Sequence, residues 1–184
     1  DGELAGIMVG REVLQESVVQ IGVPERALEL KVEEKPGVSG RANLMTRLYV
    51  AALRSALAEA AASGNLIYHG LAGGRLLTGV SGVVCIRLIA PLEHRIRALI
   101  ETEGMERGAA EAYIRDVDDA RARWVRLIHG VDIADPSLYD LVVSLQTFSI
   151  PDVCELLVRL VEQPELAITP ERLADLRDFR VQSQ

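Results

Sequence analysis

The alternation of apolar and polar positions changes period within one stretch, Gly82 to Ile100, and the rest of the chain can be arranged around that change. Val83-Val84-Cys85-Ile86-Arg87-Leu88-Ile89 is a short β-branched apolar run without a helical repeat, the pattern of a strand covered on both faces. Ala90-Pro91 ends it. Leu92, Ile96, Leu99 and Ile100 then recur at i, i+4, i+7 and i+8, one face of a helix that proline is suited to start. A buried strand feeding an amphipathic helix is half of a β-α-β unit, so the remaining segments read as strands beside this one or helices over it.

Upstream, Leu4 to Val9 is short and apolar at its end, and Gly10 breaks it. Arg11 to Ile21 carries Leu14, Val18 and Ile21 on one helical face with Gly22 as C-cap. Pro24 starts a second short helix, and the polar Glu33 to Gly37 ends it. Ala42 to Ala62 is rich in alanine and leucine and predicts a long helix, with Leu44, Leu48, Ala51, Ser55 and Ala58 as its stripe. Asn65 to His69 is a second strand, followed by the glycine-rich Gly70-Leu71-Ala72-Gly73-Gly74-Arg75. A loop at the carboxyl end of a parallel strand is where α/β proteins place ligands.

Glu106 to His129 predicts another long helix, with the stripe Ala110, Ile114, Val117, Trp124 and Ile128 and with Trp124 as a core anchor. Leu138 to Leu145 is a third strand that buries Val142 and Val143. Ser149-Ile150-Pro151-Asp152 is a capping-box start for a helix over Val153 to Val161, and Thr169-Pro170-Glu171 starts a last helix before a tail at Gln182 to Gln184. The division expected is a domain over residues 1–163 and a C-terminal helix and tail over 164–184.

Composition narrows the class. The 184 residues suffice for one domain with a real core, and the net charge of -7 argues against a general nucleic-acid or membrane-surface binder. No run of about 18 apolar residues and no signal-peptide pattern occurs, which predicts a soluble, cytoplasmic protein. Cys85 and Cys154 sit among apolar neighbours and read as reduced core residues. His69, His94 and His129 are scattered singly without metal-ligand spacing, so no metal site is expected.

One position stands out chemically. On a helical wheel Arg121 falls in the middle of the apolar stripe of its helix, with Asp118 on the border three residues away and within reach of it. A lone buried charge is too costly, so Arg121 is either half of an ion pair with Asp118 or faces a site. Arg123 lies on another face, and Arg87 interrupts its strand near a solvent-facing end.

Arg115-Asp116-Val117-Asp118-Asp119-Ala120-Arg121-Ala122-Arg123-Trp124, followed by Leu138-Tyr139-Asp140-Leu141-Val142-Val143, resembles the cytidylate kinase-like branch of the P-loop nucleoside monophosphate kinases. Ala90-Pro91-Leu92-Glu93-His94-Arg95-Ile96 and the strand end Ile67-Tyr68-His69-Gly70 are similar to the same branch, and the resemblance runs from about Gly6 to Leu160. It implies an α/β fold, a three-layer α/β/α kinase with a parallel sheet, transferring the γ-phosphoryl of ATP to CMP or dCMP with Mg2+. By that resemblance Arg121 and Arg123 are lid arginines that neutralise the transferring phosphoryl group, and Asp118 orients one of them. His69, Gly70, Gly73 and Arg75 are then the substrate-binding candidates. The partner implied is a small-molecule nucleotide, with no nucleic acid and no membrane, and a homodimer is compatible with it.

Two features depart from the family pattern. The family starts with a strand and a G-x-x-G-S-G-type phosphate loop, and these 184 residues contain none; Gly6 to Arg11 resembles the segment after the first helix, which places the expected loop upstream of Asp1. Where the family usually has Gly-Arg, with the arginine on the monophosphate, this chain has Gly70-Leu71, leaving Arg75 as the basic residue of that loop. A catalytically inactive relative, used for nucleotide sensing or protein contacts, is therefore the alternative to a kinase, and a purely structural interaction module is a third reading. In the family's strand order, 2-3-1-4-5, a missing first strand would separate Asn65–His69 from Val83–Ile89. Three outcomes follow: an incomplete sheet, a strand borrowed from elsewhere such as Ile7 to Val9, or direct pairing of the two segments.

Overall fold

A computed structural model describes residues 7–9, 40–62, 66–70, 73–80, 82–167, 169–172 and 174–175. The helices expected over Arg11 to Ile21 and after Pro24, the loop at Glu33 to Gly37, Leu71 and the tail lie outside the described residues. The elements run β1 (Ile7–Val9), α1 (Gly40–Ala62), β2 (Leu66–Tyr68), α2 (Gly73–Leu76), β3 (Ile86–Ile89), α3 (Leu92–Glu103), α4 (Arg107–His129), β4 (Leu141–Ser144) and α5 (Ile150–Val161), with 3-10 turns at Pro136–Leu138 and Pro164–Leu166. Two compact units result: residues 1–83 with 164–184, and residues 84–163.

In the first unit β1 pairs with β2 in parallel, Ile7 opposite Leu66 and Val9 opposite Tyr68. Ile7–Val9 lies beside the strand that precedes the glycine-rich loop, which is one half of the borrowed-strand outcome. The other half is not met: among the described residues β1 pairs with β2 alone, β3 pairs with β4, and the single sheet expected to hold both Asn65–His69 and Val83–Ile89 is replaced by two separate ladders. Its core is Leu53, Leu57 and Ala58 of α1 against Leu76, Leu77 and Val80, with Leu66 and Tyr68 at the margin. The buried face of α1 is not the stripe expected, since Leu48 is 43% exposed while Ala52, Leu53 and Leu57 are buried. An alanine-rich helix with apolar residues on most sides leaves the choice of face to whatever packs against it.

In the second unit β3 and β4 form a parallel ladder from Ile86 opposite Leu141 to Ile89 opposite Ser144. Asp140 opens it: its backbone N–H donates to the Cys85 carbonyl at 2.8 Å, and its carboxylate accepts from the Cys85 N–H at 2.7 Å. Both ladders among the described residues are parallel, in keeping with an α/β fold. The strand expected to be covered on both faces is shorter and more open, with Leu88 50% and Ile89 40% exposed. A two-stranded ladder has too few neighbours to cover both faces. For the same reason Val143 is buried while Val142, on the opposite face by strand alternation, is exposed.

Pro91 caps α3, its carbonyl accepting from the N–H groups of His94 and Arg95. Gly104, left-handed at φ 66°, closes α3, and Gly130, at φ 68°, closes α4. Ile96 of α3 is fully buried against Ala110 and Ile114 of α4, with Leu92, Leu99 and Met105 around them. On α4 the further buried residue is Val125, and Trp124 is only half-buried, its ring edge-on to His129 at 6.0 Å. At α5 the capping box forms as read: Ser149 Oγ accepts from the Asp152 N–H, and the Asp152 carboxylate accepts from the Ser149 N–H at 3.1 Å. Cys85 is half-buried, but Cys154 is exposed on α5 rather than in the core. Among the described residues no helix is long and apolar enough to cross a membrane.

Candidate functional site

In the second unit one carboxylate, Asp118, joins two helices through an arginine. β3 carries Arg87, the turn at Pro91 places Arg95 at the start of α3, and the α3–α4 packing through Ile96 and Ile114 brings Asp118 opposite Arg95. Arg95 donates from Nη1 to Asp118 Oδ2 at 2.6 Å and from Nη2 to Oδ1 at 2.8 Å. This fork-on-carboxylate geometry is the strongest ion-pair arrangement available to an arginine. It holds the Asp118 carboxyl below the ordinary range, chiefly through the Arg95 hydrogen bonds and further through the charges of Arg95, Arg121 and Arg87, against the opposing effect of burial. Arg95 is correspondingly raised by the Asp118 hydrogen bonds.

The expected pairing is thereby corrected. Asp118 is bound by Arg95, 23 residues away, and not by Arg121, its neighbour on the same helix. Arg121 keeps only an electrostatic influence on that carboxylate and is exposed, although its position lies between the buried Ile114 and Val125. Arg123 is exposed too. Among the described residues neither Arg121 nor Arg123 has a hydrogen bond or salt bridge, whereas Arg107, Arg115 and Arg126 of the same helix pair with Glu93, Glu111 and Asp132. Arg87 is the second residue of β3 and half-buried, its guanidinium 5.5 Å from the centroid of the Tyr139 ring. The Tyr139 hydroxyl donates to the Ile133 carbonyl at 2.9 Å, and burial raises its pKa.

The remaining candidates lie in the first unit, after β2. His69 and Gly70 are exposed at the carboxyl end of the strand, where the parallel-strand rule expects a ligand loop. A Cβ at position 70 would run into the Tyr68 ring and hydroxyl, so glycine is needed there for space alone. Gly73 opens the single turn α2, and Arg75 lies in it with Nε buried and without a hydrogen-bond partner among the described residues. Sequence reasoning found the Arg121 and Arg123 positions but missed Arg95, since nothing local to Pro91–Ile96 marks a partner 23 residues away. Among the described residues no group of three His, Cys, Asp or Glu side chains is placed to hold a metal ion.

Comparison with known proteins places this geometry. A curated cytidylate kinase of Methanoculleus marisnigri is 30% identical over 115 residues, which is 62% of this chain and 60% of that protein. The chain thus aligns with less than two thirds of that relative's length. A crystal structure of an uncharacterized protein from Eubacterium ventriosum superposes with a TM-score of 0.62 over 84% of this chain and 83% of that one, at 11% identity, a likeness of fold alone. The cytidylate kinase-like family matches residues 3–147, which takes in β1 through β4 and the arginine cluster of α3 and α4, and this chain belongs to it.

Proposed function

We propose that the chain is the body of a cytoplasmic nucleoside monophosphate kinase that transfers a phosphoryl group from ATP to CMP or dCMP. The observation that carries the reading is the pair of unpaired guanidinium groups on α4, Arg121 and Arg123, beside arginines that are each engaged by a carboxylate. Phosphoryl transfer calls mainly for positioning and for neutralising charge spread over phosphate oxygens, and free, permanently charged, planar donors suit that task. Arg121 and Arg123 act as the phosphoryl-facing cations, and His69, Gly70, Gly73 and Arg75 contact the nucleotide substrate.

ATP and Mg2+ are what the family uses, and the fit is partial. The two arginines suit phosphate oxygens. No G-x-x-G-S-G-type phosphate-loop motif occurs in these 184 residues, and the described residues contain no group of three metal-ligating side chains.

Replacing Arg121 by alanine is expected to lower turnover of CMP or dCMP by about 10²-fold, the scale of losing one charge-stabilising donor, with little change in stability. The measurement is steady-state kinetics on a polypeptide that includes a phosphate loop. Equal turnover in Arg121→Ala and wild type would remove Arg121 from the mechanism. A second reading, an inactive relative that senses nucleotide, is favoured by Gly70-Leu71 in place of Gly-Arg, and absence of turnover in the same assay would select it.

A further inference from the structure

Asp118 and Arg121 stand three residues apart on α4, a spacing that brings side chains on a helix surface within about 5–6 Å at Cβ and at which opposite charges ordinarily pair. The chain forms such pairs elsewhere: Arg115 with Glu111 at 2.6 Å on the same helix, and Arg159 with Glu155 at 2.5 Å on α5, each four residues apart. Arg121 has a carboxylate as near along its own helix and does not bond to it. The reason is visible in the carboxylate itself. Each Asp118 oxygen accepts from one terminal nitrogen of Arg95, in a half-buried site, so the carboxylate is oriented on the Arg95 fork and its charge is offset there, which weakens its pull on Arg121.

We propose that Arg95 is a positioning residue: by orienting Asp118 and offsetting its charge it keeps that carboxylate from capturing Arg121, and so leaves the Arg121 guanidinium open to a phosphoryl or other phosphate-type anion. Two further observations fit. The charges of Arg121 and Arg87 reach Asp118 and lower its pKa without a bond to it, so each is near enough to be felt by the carboxylate that Arg95 holds. Arg87 is itself turned onto the Tyr139 ring, which keeps it too from competing for Asp118. The role deepens the kinase reading and rests on it only for the identity of the anion.

The test is arginine-selective labelling with phenylglyoxal on the 184-residue chain, read residue by residue by peptide mass spectrometry, with Arg123 as the reference on the same helix. In wild type Arg121 should label as fast as Arg123, and Arg95 slowly. In Arg95→Met the freed carboxylate should take Arg121, whose labelling falls several-fold relative to Arg123. Adding Asp118→Asn to Arg95→Met should restore it, a rescue that a merely structural role for Arg95 does not produce. Asp118→Asn alone should leave Arg121 unchanged. Undiminished Arg121 labelling in Arg95→Met, or increased Arg121 labelling in Asp118→Asn alone, would overturn the proposal; the second variant decides by itself if Arg95→Met loses its fold. Labelling needs no turnover, so its failure leaves the kinase reading standing, and a chain without kinase activity can still pass it.

Discussion

Asp118 shows how a single residue changes meaning between the chain and the fold. Along the chain it is one of a run of acids, Asp116, Asp118 and Asp119, with Arg121 as the obvious partner; in the fold it is the carboxylate that joins α3 to α4. Its acidity carries a prediction. A carboxyl held below its unfolded value contributes stability that is fully present above the unfolded pKa, about 3.9, and is lost as pH falls through the lower folded value. Urea unfolding of wild type and Asp118→Asn should therefore differ at pH 7, by about 1 kcal/mol or less for so exposed a pair, and converge as pH falls through the lowered folded value. A difference that stays constant through the acid range would show that the carboxylate's charge is not what stabilises.

At the scale of elements, α3 and α4 were legible in the sequence as two separate helices. Pro91 and the stripe through Leu92, Ile96 and Leu99 are local signals, each acting within one or two turns of chain, whereas the packing of Ile96 on Ala110 and Ile114 was not among them. The capping box at Ser149 is of the same kind. Ser149→Ala is expected to cost about 0.5–2 kcal/mol, measured as a lower urea midpoint with an unchanged slope. Ile96 has a larger task, filling the contact between the two helices at 0% exposure. Ile96→Ala should cost about 2–5 kcal/mol by lost burial and the cavity left behind, and a loss below about 1 kcal/mol would mean that the helices repack around the gap. The stripe on α1 was not legible, because its apolar residues fall on most faces and only the packing against Leu76, Leu77 and Val80 selects Leu53 and Leu57.

At the scale of the whole molecule, the acidic balance and the local cluster of arginines are compatible because the excess negative charge is spread over the chain while the charges of Arg87, Arg95 and Arg121 all reach Asp118. The same scale governs nucleotide affinity. With no phosphate-loop motif in their sequence, the 184 residues by themselves are expected to bind ATP weakly at best. Titration calorimetry giving a micromolar Kd would contradict this and would turn attention to the loop from Gly70 to Gly74 as a phosphate site.

By itself the sequence determined β2 to β4, the helices α1, α3, α4 and α5, the capping box of α5, the parallel α/β class and the family, since periodicity, proline placement and short motifs all act over a few residues, while the short helix α2 was hidden in what reads as a glycine-rich loop. The tertiary structure decided what depends on distant partners. It put β1 beside β2, exposed Leu88 and Ile89, buried Val125 in preference to Trp124, and gave Asp118 to Arg95. In each case several candidates satisfy the local rules equally well, and the selection is made by contact between segments that only the folded chain brings together.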